Sequence, residues 1–474
     1  MKRIAIIGGG ISGLSAAHTI EEKRQSGVNV EYVLFESSPR LGGVMVTDRV
    51  DGCLVEAGPD SFLTEKPWAS DLCRKIGLGD QLIGSNDAKR KTYIVKKNKL
   101  RVMPDGLMFM VPTKIVPTVF SPLFSLRTKL RMAIEWFHPP HKAEEDETVA
   151  QMVERHYGHE MVEMLADPLL SGVYGGEASD LSVRAVLPRF ADMESKHGSL
   201  GRAMLDARKN ARNKKGAATN EPARPLFTSL QEGMQQMVDA LVARLNANAL
   251  KTSTLVQSAI PQDNAWTVSA GYQSDQFDAV IVATPAHVAS SVLQAADENL
   301  ARELSGIQYS SSVTVALGYD EKVRRSLPPG FGFLVPRSEG RRMLAATFVH
   351  NKFPHRAPED RALLRCFLGG ARDEDILQKS EEEILAIVRA ELRQIIKLSA
   401  EPLFTRVYKW KSAMAQYSVG HLERLQRIES LRQKLPGMAL AGNGYNGIGV
   451  PDCVRSGAEA AGKILGEMGM WSAA

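Results

Sequence analysis

The sequence predicts an α/β fold with a doubly wound parallel sheet that is discontinuous in the chain, a second domain built on a mixed sheet, and an inserted helical domain. Three observations predict it. The chain opens on a strand, a glycine-rich turn and a helix (MKRIAIIGGGISGLSAAH). Apolar strands of the same kind recur in the middle (FDAVIVATP) and near the end (PGMALAGN). At 474 residues, the chain is long enough for two or three lobes.

The strands of the parallel sheet are predicted from uninterrupted apolar runs, which are typical of strands buried on both faces. The first strand ends where the glycines begin, and a helix and a second strand follow, which makes a Rossmann-like strand–helix–strand unit. A proline at the first helical position opens the last helix. We expect strands at 3–8, 30–36, 277–285 and 436–443, and helices at 11–24 and from Pro451 onward.

The segments between these strands show other spacings of apolar residues. Apolar residues at helical spacing predict a core stripe in a helical domain, namely Val149, Met152, Val153, Met161, Val162 and Leu165. The basic run at 207–225 lacks apolar anchors, so we expect a surface loop. Strands at 312–320 and 361–370 and an amphipathic helix at 381–398 predict the second sheet. The expected domains are 1–90, 222–295 and 425–474 (nucleotide-binding), 96–215 (helical) and 296–424 (substrate-binding), with parts of 85–100 as candidates for the last.

Composition excludes several function classes. The formal net charge is +5, and no zinc-finger, RNA-recognition or basic-zipper pattern occurs, so we expect no nucleic-acid partner. The four cysteines are far apart with no C-x-x-C, which predicts reduced thiols and neither a disulfide nor a metal site. We expect no signal peptide before the first strand, which predicts a cytoplasmic protein.

One segment is apolar enough to be considered for contact with a membrane. Leu107–Phe137 carries many large apolar residues, but prolines and Lys114 interrupt it before it reaches the roughly 18 residues of a membrane-spanning helix. We favour a wall of the substrate domain with a buried helix. The alternative is a surface that dips into the inner face of the cell membrane, with Arg127, Lys129 and Arg131 near the phosphates.

The glycine motif at the first turn indicates a dinucleotide site. In G-x-G-x-x-G, Gly8 makes the tight turn, Gly10 lets a pyrophosphate approach the backbone, and Gly13 packs the helix on the strand. The helix N-terminus adds free N–H groups and a positive dipole end. Glu36, at the end of the second strand, is placed to bind both ribose hydroxyls and would repel a 2′-phosphate, which disfavours NADP.

Two further glycine-rich segments favour FAD over a nicotinamide cofactor. In ESSPRLGG, Arg40 can neutralise a phosphate, and the Gly42–Gly43 pair lets a second loop approach the cofactor. In AGNGYNGIGVPDC, a helix that starts at Pro451 would stabilise negative charge on a reduced flavin ring through its dipole. The strand at 252–260 either pairs with an adenine edge or is an ordinary strand.

These segments, with several from the middle of the chain, resemble the flavin-dependent protoporphyrinogen/coproporphyrinogen oxidase family of the amine-oxidase-like FAD superfamily. The resemblance runs over essentially the whole chain, and its middle segments are more specific than the dinucleotide motif. The segments are GGGISGLSAA, ESSPRLGG, GPDSF, LSGVYGGEASDLSVRAVLP, SLQEGMQQMVDAL, FPHRAPEDRALLRCFLGG, YKWKSAMAQYSVGH and GNGYNGIGVPDC.

The resemblance implies an oxidase with non-covalent FAD. Its reaction would remove six electrons from protoporphyrinogen IX to give protoporphyrin IX in heme biosynthesis, in three flavin cycles with O2 as acceptor and H2O2 as product. Coproporphyrinogen III oxidation to coproporphyrin III is the alternative within the family. Two rivals are another amine-oxidase-type flavoenzyme and a flavin-bearing protein that carries porphyrin without turnover. Cys453 follows Pro451–Asp452, a setting unlike the flavin-attachment motif of amine oxidases.

The resemblance also implies site residues. Phe331, Leu334 and Phe353 would hold the macrocycle, and a cation for a propionate falls at Arg90 or Lys91. Asp60 is the candidate to polarise or accept a pyrrole proton, its alternative role being that of a turn-forming residue. Membrane contact, a homodimer and product hand-off to a ferrochelatase stay open. The expected cofactor-binding set, drawn partly from the motifs themselves, is Gly8, Gly9, Gly10, Ile11, Ser12, Gly13, Glu36, Ser37, Arg40, Gly42, Gly43, Gly58, Pro59, Asp60, Ser61, Val256, Ala283, Trp410, Gly442, Asn443, Ile448, Gly449 and Val450.

Overall fold

The computed structural model describes residues 1–104, 106–108, 111–112, 115–142, 144–214, 224–263 and 265–470. None of the helices in these ranges is long and apolar enough to cross a membrane. The strands are β1 (Lys2–Ile7), β2 (Val30–Phe35), β3 (Thr47–Val50), β4 (Cys53–Glu56), β5 (Phe62–Leu63), β6 (Leu82–Gly84), β7 (Thr92–Lys96), β8 (Lys99–Val102), β9 (Leu107–Met108), β10 (Val111–Pro112), β11 (Phe227–Leu230), β12 (Leu250–Lys251), β13 (Val256–Gln262), β14 (Ala265–Ala270), β15 (Gln273–Phe277), β16 (Ala279–Val282), β17 (Tyr309–Asp320), β18 (Gly332–Leu334), β19 (Met343–Phe348), β20 (Arg361–Gly369), β21 (Phe404–Ala415) and β22 (Met438–Leu440). The helices are α1 (Ile11–Gln25), α2 (Trp68–Lys75), α3 (Ile115–Val119), α4 (Leu126–Ile134), α5 (Val149–Tyr157), α6 (His159–Met161), α7 (Asp167–Tyr174), α8 (Val183–Val186), α9 (Pro188–His197), α10 (Leu200–Lys214), α11 (Gln235–Val242), α12 (Ala286–Leu293), α13 (Glu298–Ser305), α14 (Glu321–Ser326), α15 (Val349–Lys352), α16 (Glu381–Ile396), α17 (His421–Arg432) and α18 (Val450–Glu467).

A parallel sheet with the strand order β12-β2-β1-β16-β22 forms the centre of the nucleotide-binding part. The chain moves from β1 to β2 on one side and later to β16 on the other, so the strand order reverses at β1. Ligands of such sheets bind outside the carboxyl ends of the strands at this reversal. Because β1, β16 and β22 come from the start, the middle and the end of the chain, the predicted discontinuous α/β fold is confirmed.

Different elements cover the two faces of this parallel sheet. On one face, Ile4 and Ile6 are fully buried in a cluster with side chains of α1, α11 and α18. On the other face, Val280 and Val282 pack in a cluster with the antiparallel sheet β13-β14-β15 and with α12 and α13. Burial on both faces explains why these strands have uninterrupted apolar sequences.

The second sheet is mixed, with the strand order β21-β17-β20-β19-β18-β7-β8. Its pairings are antiparallel except for β18 with β7, which run parallel. The apolar face of α16 packs on it through Ile384, Val388 and Leu392, which repeat at helical spacing. The strands β7 and β8, from residues 92–102, lie at one edge of this sheet. The domain boundaries stay predictions.

A helical region lies between β10 and β11. All six residues of the predicted apolar stripe are buried in its core. They do not form one continuous helix, because Gly158 ends α5 with a φ of 88°, a conformation that favours glycine. A π-helical turn at Val162–Ala166 then precedes α7. The stripe therefore predicts the core of this region but not its helix boundaries.

Two local predictions need correction. The loop predicted at 207–225 begins later, because α10 continues to Lys214, and residues 215–223 lie outside the described residues. The strand predicted at 252–260 starts only at Val256. The backbone N–H groups of Ser253 and Thr254 instead donate to the carbonyls of Ser38 and Glu36, at 2.9 and 2.8 Å. These bonds draw the segment to the loop after β2.

The described helix α4, within residues 107–137, is not the buried helix that we expect. Its inward side carries Met132, which packs on the helical core, and polar residues: Thr128 is buried and donates to Glu160 at 2.6 Å. Glu135, just after α4, is also buried and accepts the N–H of Leu200 at 2.6 Å. Polar contacts thus attach the helix, and its apolar side faces outward. The exposed residues on that side are Leu126 (84%), Leu130 (62%) and Ile134 (55%).

Candidate functional site

The first glycine loop lies at the reversal point of the parallel sheet. Gly8 has a φ of 109°, and a Cβ there would lie 2.7 Å from the carbonyl oxygen of Ala283. A Cβ on Gly13 would lie 1.9 Å from the carbonyl oxygen of Gly8, so only glycine lets α1 pack so closely on β1. Around Gly10, by contrast, no described atom comes within 4 Å of a Cβ. The open side of Gly10 is where a ligand can reach the backbone.

The N-terminus of α1 is prepared for an anion. Its N-cap residue is Gly10, and no side chain caps the helix. The first N–H groups of a helix have no intrahelical acceptor, so they bind an anion when no side chain satisfies them. Glu36 lies beside this helix end, where its carboxylate accepts the N–H groups of Gly9 at 2.7 Å and Ser38 at 2.8 Å. The structure therefore brings together the residues that we predict to bind the pyrophosphate and the ribose.

A second loop packs directly on the first. Gly42 donates its N–H to the carbonyl of Gly9 at 2.8 Å, and a Cβ on Gly43 would lie 3.3 Å from the Cα of Gly10. Both Gly42 and Gly43 have positive φ, at 102° and 58°. Arg40 spans this loop by donating to the carbonyl of Gly43. The Gly-Gly pair thus lets the second loop reach the dinucleotide loop.

The turn Gly58–Ser61 packs on that second loop. A Cβ on Gly58 would lie 2.0 Å from the carbonyl oxygen of Val44. Trp410 fixes the start of the turn by donating its indole N–H to the carbonyl of Ala57 at 2.9 Å. The three loops therefore form one continuous wall from Gly10 to Asp60.

The N-terminus of α18 lies close to that of α1. A Cβ on Gly457 would lie 2.0 Å from the carbonyl oxygen of Ser12, and Ser15 donates to the carbonyl of Val454 at 2.7 Å. Gly449 is the N-cap residue of α18, again with no side-chain cap. The two uncapped helix ends, each with a positive dipole, thus lie near each other.

The remaining predicted cofactor residues lie on or near the same loops. Ser37 is next to Glu36, and Val256 begins β13 beyond the segment that bonds to the Glu36 carbonyl. Asn443 donates to the carbonyl of Ala413 at 2.9 Å, and Gly442 donates its N–H to Ser456 at 3.2 Å. The other members of the set are Ile11, Ser12, Pro59, Ser61, Ala283, Ile448 and Val450, which belong to the loops and helix ends already described.

Asp60 lies in a buried cluster of ions rather than in a simple turn. Lys352 donates to its two carboxylate oxygens at 3.1 and 2.9 Å, and Arg365 lies 3.5 Å away. Burial alone would raise the pKa of Asp60, but Lys352, Arg365 and Arg356 outweigh it and hold that pKa well below its usual value. A carboxylate with so low a pKa is a weak base, so this arrangement disfavours Asp60 as the proton acceptor.

Arg356 connects the same cluster to Glu56. It lies 3.0 Å from the Glu56 carboxylate, and it donates to the backbone carbonyl of Asp60 at 2.8 Å and to Ser229 at 2.5 Å. Arg365 donates to the carbonyl of Gly58 at 2.6 Å. The cluster therefore holds the Gly58–Ser61 turn from both ends. Lys352, Arg356 and Arg365 are not among the predicted site residues, because no local motif connects them to the turn.

The predicted substrate residues are divided between two places. The N–H of Phe331 donates to the carbonyl of Lys91 at 2.8 Å, so β18 and the basic run before β7 meet there. Arg90 is half-exposed and lies 3.7 Å from Asp87. Leu334, at the other end of β18, and Ile448, just before α18, each pack against the helical core.

Phe353 does not lie with these residues. It is fully buried, and its ring lies under the guanidinium of Arg356, 4.7 Å from the ring centroid, and near the ammonium of Lys352, 5.3 Å away. This burial contradicts the prediction that Phe353 contacts substrate directly. Its ring instead packs under the cations, an arrangement that stabilises buried charge.

One buried polar group fits a bound dinucleotide. The hydroxyl of Thr284 is buried and has no hydrogen-bond partner within the ranges that the structure describes. Thr284 lies beside Gly8 and Gly442, 3.1 and 3.6 Å from where their Cβ atoms would be. Buried polar groups are nearly always satisfied. This hydroxyl and the uncapped helix ends of α1 and α18 therefore fit a phosphate-containing cofactor.

The fourth cysteine lies near the start of α18. The four cysteines are buried free thiols, as predicted. Burial raises the pKa of Cys453 to about 12. A thiol with so high a pKa is a poor nucleophile at neutral pH.

Known proteins match this chain over nearly its whole length. The model of the family described as flavin containing amine oxidoreductase matches residues 11–465. The chain is 34% identical to coproporphyrinogen III oxidase of Bacillus subtilis (strain 168), over 98% of each chain. It is 31% identical to the chloroplastic protoporphyrinogen oxidase of Nicotiana tabacum, over 97% of this chain and 85% of that one.

A solved structure from Exiguobacterium sp. 255-15, provisionally assigned as a protoporphyrinogen oxidase, shares the fold. Its TM-score with this chain is 0.87, at 29% identity and with 99% of each chain covered. The family model and these relatives span nearly the whole sequence. The chain therefore belongs to the family of flavin containing amine oxidoreductases, whose cofactor is a flavin.

Proposed function

We propose that this protein is an FAD-dependent oxidase that converts a porphyrinogen to the porphyrin, with O2 as the electron acceptor and H2O2 as the product. One observation carries the proposal: the relative named coproporphyrinogen III oxidase matches 98% of this chain and 98% of its own at 34% identity. So complete a match includes the substrate-binding part as well as the cofactor part. The convergence of both uncapped helix ends on one site supports FAD as the flavin.

Coproporphyrinogen III is the substrate that we propose first, although the family resemblance implies protoporphyrinogen IX, with coproporphyrinogen III as the alternative. The Bacillus relative is matched over almost its full length at 34% identity, whereas the tobacco protoporphyrinogen oxidase is matched over 85% of its length at 31%. Coproporphyrinogen carries four propionates and protoporphyrinogen two. The exposed run Lys89, Arg90 and Lys91, beside Phe331, offers cations for propionates.

Different residues of the site would bind different parts of the cofactor and the substrate. The first-turn N–H groups of α1 and the open side of Gly10 would hold the pyrophosphate, and Glu36 would hold the ribose. Leu334 and Ile448, which each pack against the helical core, offer apolar side chains for a macrocycle. When bound, FAD supplies the acceptor for two electrons and one proton in each of three turnovers. The protein chiefly orients substrate and cofactor and adjusts their electrostatics.

We assign no proton-accepting role to Asp60. Its lowered pKa, caused by Lys352 and Arg365 against the effect of burial, keeps it charged throughout the neutral range. Its contacts instead fix the turn that lies between the dinucleotide loop and the second sheet. The flavin is held without a covalent bond in this proposal, because the buried Cys453 thiol has a raised pKa of about 12.

Peripheral membrane contact is the localisation that the exposed side of α4 supports. Leu126, Leu130 and Ile134 form one helix face, and Phe120 and Phe137 nearby are also exposed. Arg127 and Lys129 lie on the same helix and can contact lipid phosphates. A homodimer and hand-off of the porphyrin to a ferrochelatase stay predictions.

The experiment is a parallel rate measurement on both porphyrinogens. The purified protein is expected to be yellow and to release all its FAD on acid precipitation. Porphyrin fluorescence should then rise faster with coproporphyrinogen III than with protoporphyrinogen IX, each corrected for autoxidation. Colourless protein would contradict the FAD assignment, a yellow pellet would contradict non-covalent binding, and no rise above autoxidation with either substrate would contradict the activity.

A further inference from the structure

The ion cluster behind the Gly58–Ser61 turn contains more buried cations than buried anions. Lys352, Arg365 and Arg356 are only 9%, 2% and 0% exposed. They face two carboxylates, Asp60 and Glu56, of which Glu56 is 1% exposed. Burial also raises the pKa of Glu56 above its usual value, even with Arg356 beside it. The cluster therefore keeps a net positive charge away from solvent.

The guanidinium groups of this cluster are not fully satisfied. The Nε and Nη1 atoms of Arg356 and the Nε atom of Arg365 have no hydrogen-bond partner in the part of the chain that the structure describes. Buried cations are costly unless they are paired and hydrogen-bonded. Folding alone does not explain why three buried cations are placed against two carboxylates. Such an excess suits an electrostatic task at a neighbouring site.

The neighbouring site is the expected cofactor site. The carbonyl of Gly58 accepts from Arg365, and the two carboxylate oxygens of Asp60 accept from Lys352. The same turn packs on the loop that contacts Gly10. Just beyond it, Lys66 donates to Asp452 in the first turn of α18, at 2.6 Å. The cations thus lie behind a turn that connects both helix ends.

We infer that Lys352, Arg356 and Arg365 act together as a fixed positive charge that favours the reduced, negatively charged form of the flavin, an inference that rests on the proposed function. Uptake of two electrons and one proton from the substrate adds one negative charge to the flavin ring. A buried positive charge lowers the free energy of that form more than that of the neutral oxidised form. Lys352 is then a positioning and electrostatic residue of the oxidative step.

The test uses the FAD-loaded protein and replaces each partner of the Lys352–Asp60 ion pair in turn. The two substitutions change the net charge in opposite directions. Lys352→Met removes a positive charge and should weaken formation of the flavin–sulfite adduct about tenfold. The midpoint potential should fall correspondingly, by about 30 mV for a two-electron couple. Asp60→Asn removes a negative charge and should shift both quantities in the opposite direction. Lys352→Arg keeps the charge and should restore values near those of the wild type.

The opposite signs of the two expected potential shifts distinguish an electrostatic effect from structural damage. Both Lys352→Met and Asp60→Asn break the same ion pair, so a purely structural role would shift the potential in the same direction in both variants. Measurements are made at about pH 6, because burial lowers the pKa of Lys352 and a lower pH favours its protonated form. Lys322→Met, at an exposed lysine on α14, is the matched control.

The outcomes distinguish this inference from the proposed function. If both variants bind FAD and both potentials move in the same direction, or neither moves, the inference is wrong while the proposed function stands. If the wild-type protein binds no FAD, the proposed function fails first. If the Lys352→Met variant does not fold, Asp60→Asn and Lys352→Arg still decide the sign of the effect.

Discussion

Gly10 and Gly13 belong to the same motif, but an added methyl group would have different surroundings at the two positions. A Cβ on Gly13 would lie 1.9 Å from a backbone carbonyl, whereas Gly10, with a φ of −71°, has open space in the described structure. We predict that Gly13→Ala lowers the free energy of unfolding by roughly 3 kcal/mol, since the helix must move off the strand. Gly10→Ala should fold like the wild type but bind FAD at least roughly tenfold more weakly, because its methyl group occupies the approach of the pyrophosphate.

The measurements for this pair are chemical unfolding of the flavin-free protein and titration with FAD. Gly27→Ala, at a glycine with open space but a φ of 94°, controls for backbone strain away from the site. Gly10→Ala protein with unchanged FAD affinity would show that the pyrophosphate does not approach this loop.

At the scale of elements, a buried histidine joins three helices of the helical region. The two ring nitrogens of His156 lie 3.1 Å from Glu135 and 2.9 Å from Glu194. Burial would lower the pKa of His156, but its hydrogen bonds to these carboxylates outweigh burial and raise it. Burial would raise the pKa values of Glu135 and Glu194, but the hydrogen bonds that they accept lower both. The fold therefore favours the charged form of each group more than the unfolded chain does.

We predict that this region is most stable between about pH 4.5 and pH 6.5. The folded pKa of His156 is raised, so its contribution is complete below its unfolded pKa and is lost as the pH rises through the folded value. The folded pKa values of the two glutamates are lowered, so their contributions are lost as the pH falls through them. The protection factors of the α5 amides, which correct for the intrinsic rise of the exchange rate with pH, should therefore fall towards pH 9.

The variant His156→Gln provides the check on this prediction. It leaves the buried Glu135 without the cation of His156, whereas Glu194 keeps its ion pair with Arg155. The substitution should cost roughly 3 kcal/mol near pH 6, with a smaller loss near pH 9. His159→Gln, at an exposed histidine one turn away, should change neither the stability nor its pH dependence. A loss that is equal at both pH values would refute a role for the His156 charge.

The exposed side of α4 leads to a second prediction at this scale. Wild-type protein should bind vesicles of phosphatidylcholine and phosphatidylglycerol, because burying leucine side chains at the lipid interface is favourable. The double variant Leu126→Gln/Leu130→Gln should bind them at least roughly tenfold more weakly, with unchanged oxidase activity. Flotation of vesicles measures the bound fraction.

The control for α4 uses two exposed leucines elsewhere. Leu255 and Leu403 are 59% and 54% exposed, and their double substitution to glutamine should leave vesicle binding as in the wild type. Wild-type protein that stays in the unbound fraction would contradict the membrane proposal for this face.

At the scale of the whole molecule, sequence patterns predict what is local. Gly8, Gly10, Gly13 and Glu36 lie within one strand–helix–strand unit, so their spacing alone places them together. Lys352 and Asp60 are 292 residues apart, and only the packing of two sheets brings them into contact. No periodicity or motif contains that information. For the same reason the sequence places Phe353 near substrate, whereas the fold places its ring under buried cations.

The orientation of α4 shows a second limit of local patterns. Helical spacing predicts that Leu126, Leu130 and Ile134 share one face, and they do. It does not predict whether another element covers that face. Here the polar contacts of Thr128 and Glu135 hold the other side inward, so the apolar face stays exposed. Burial of a helix depends on its neighbours as well as on its own residues.

The crossing of α1 and α18 joins the two ends of the chain at the cofactor site, and it depends on one glycine. Because a Cβ on Gly457 would lie 2.0 Å from the carbonyl oxygen of Ser12, Gly457→Ala must push the two helices apart. We predict a loss of roughly 2 kcal/mol in the free energy of unfolding. FAD affinity should fall in parallel, since both uncapped helix ends move together.

Gly466→Ala, at an exposed position on the same helix, should instead stabilise the protein by about 0.5 kcal/mol and leave FAD affinity unchanged. Calorimetry and FAD titration of both variants make the comparison, and a folded Gly457→Ala protein with wild-type FAD affinity would show that the two helix ends do not hold the cofactor jointly.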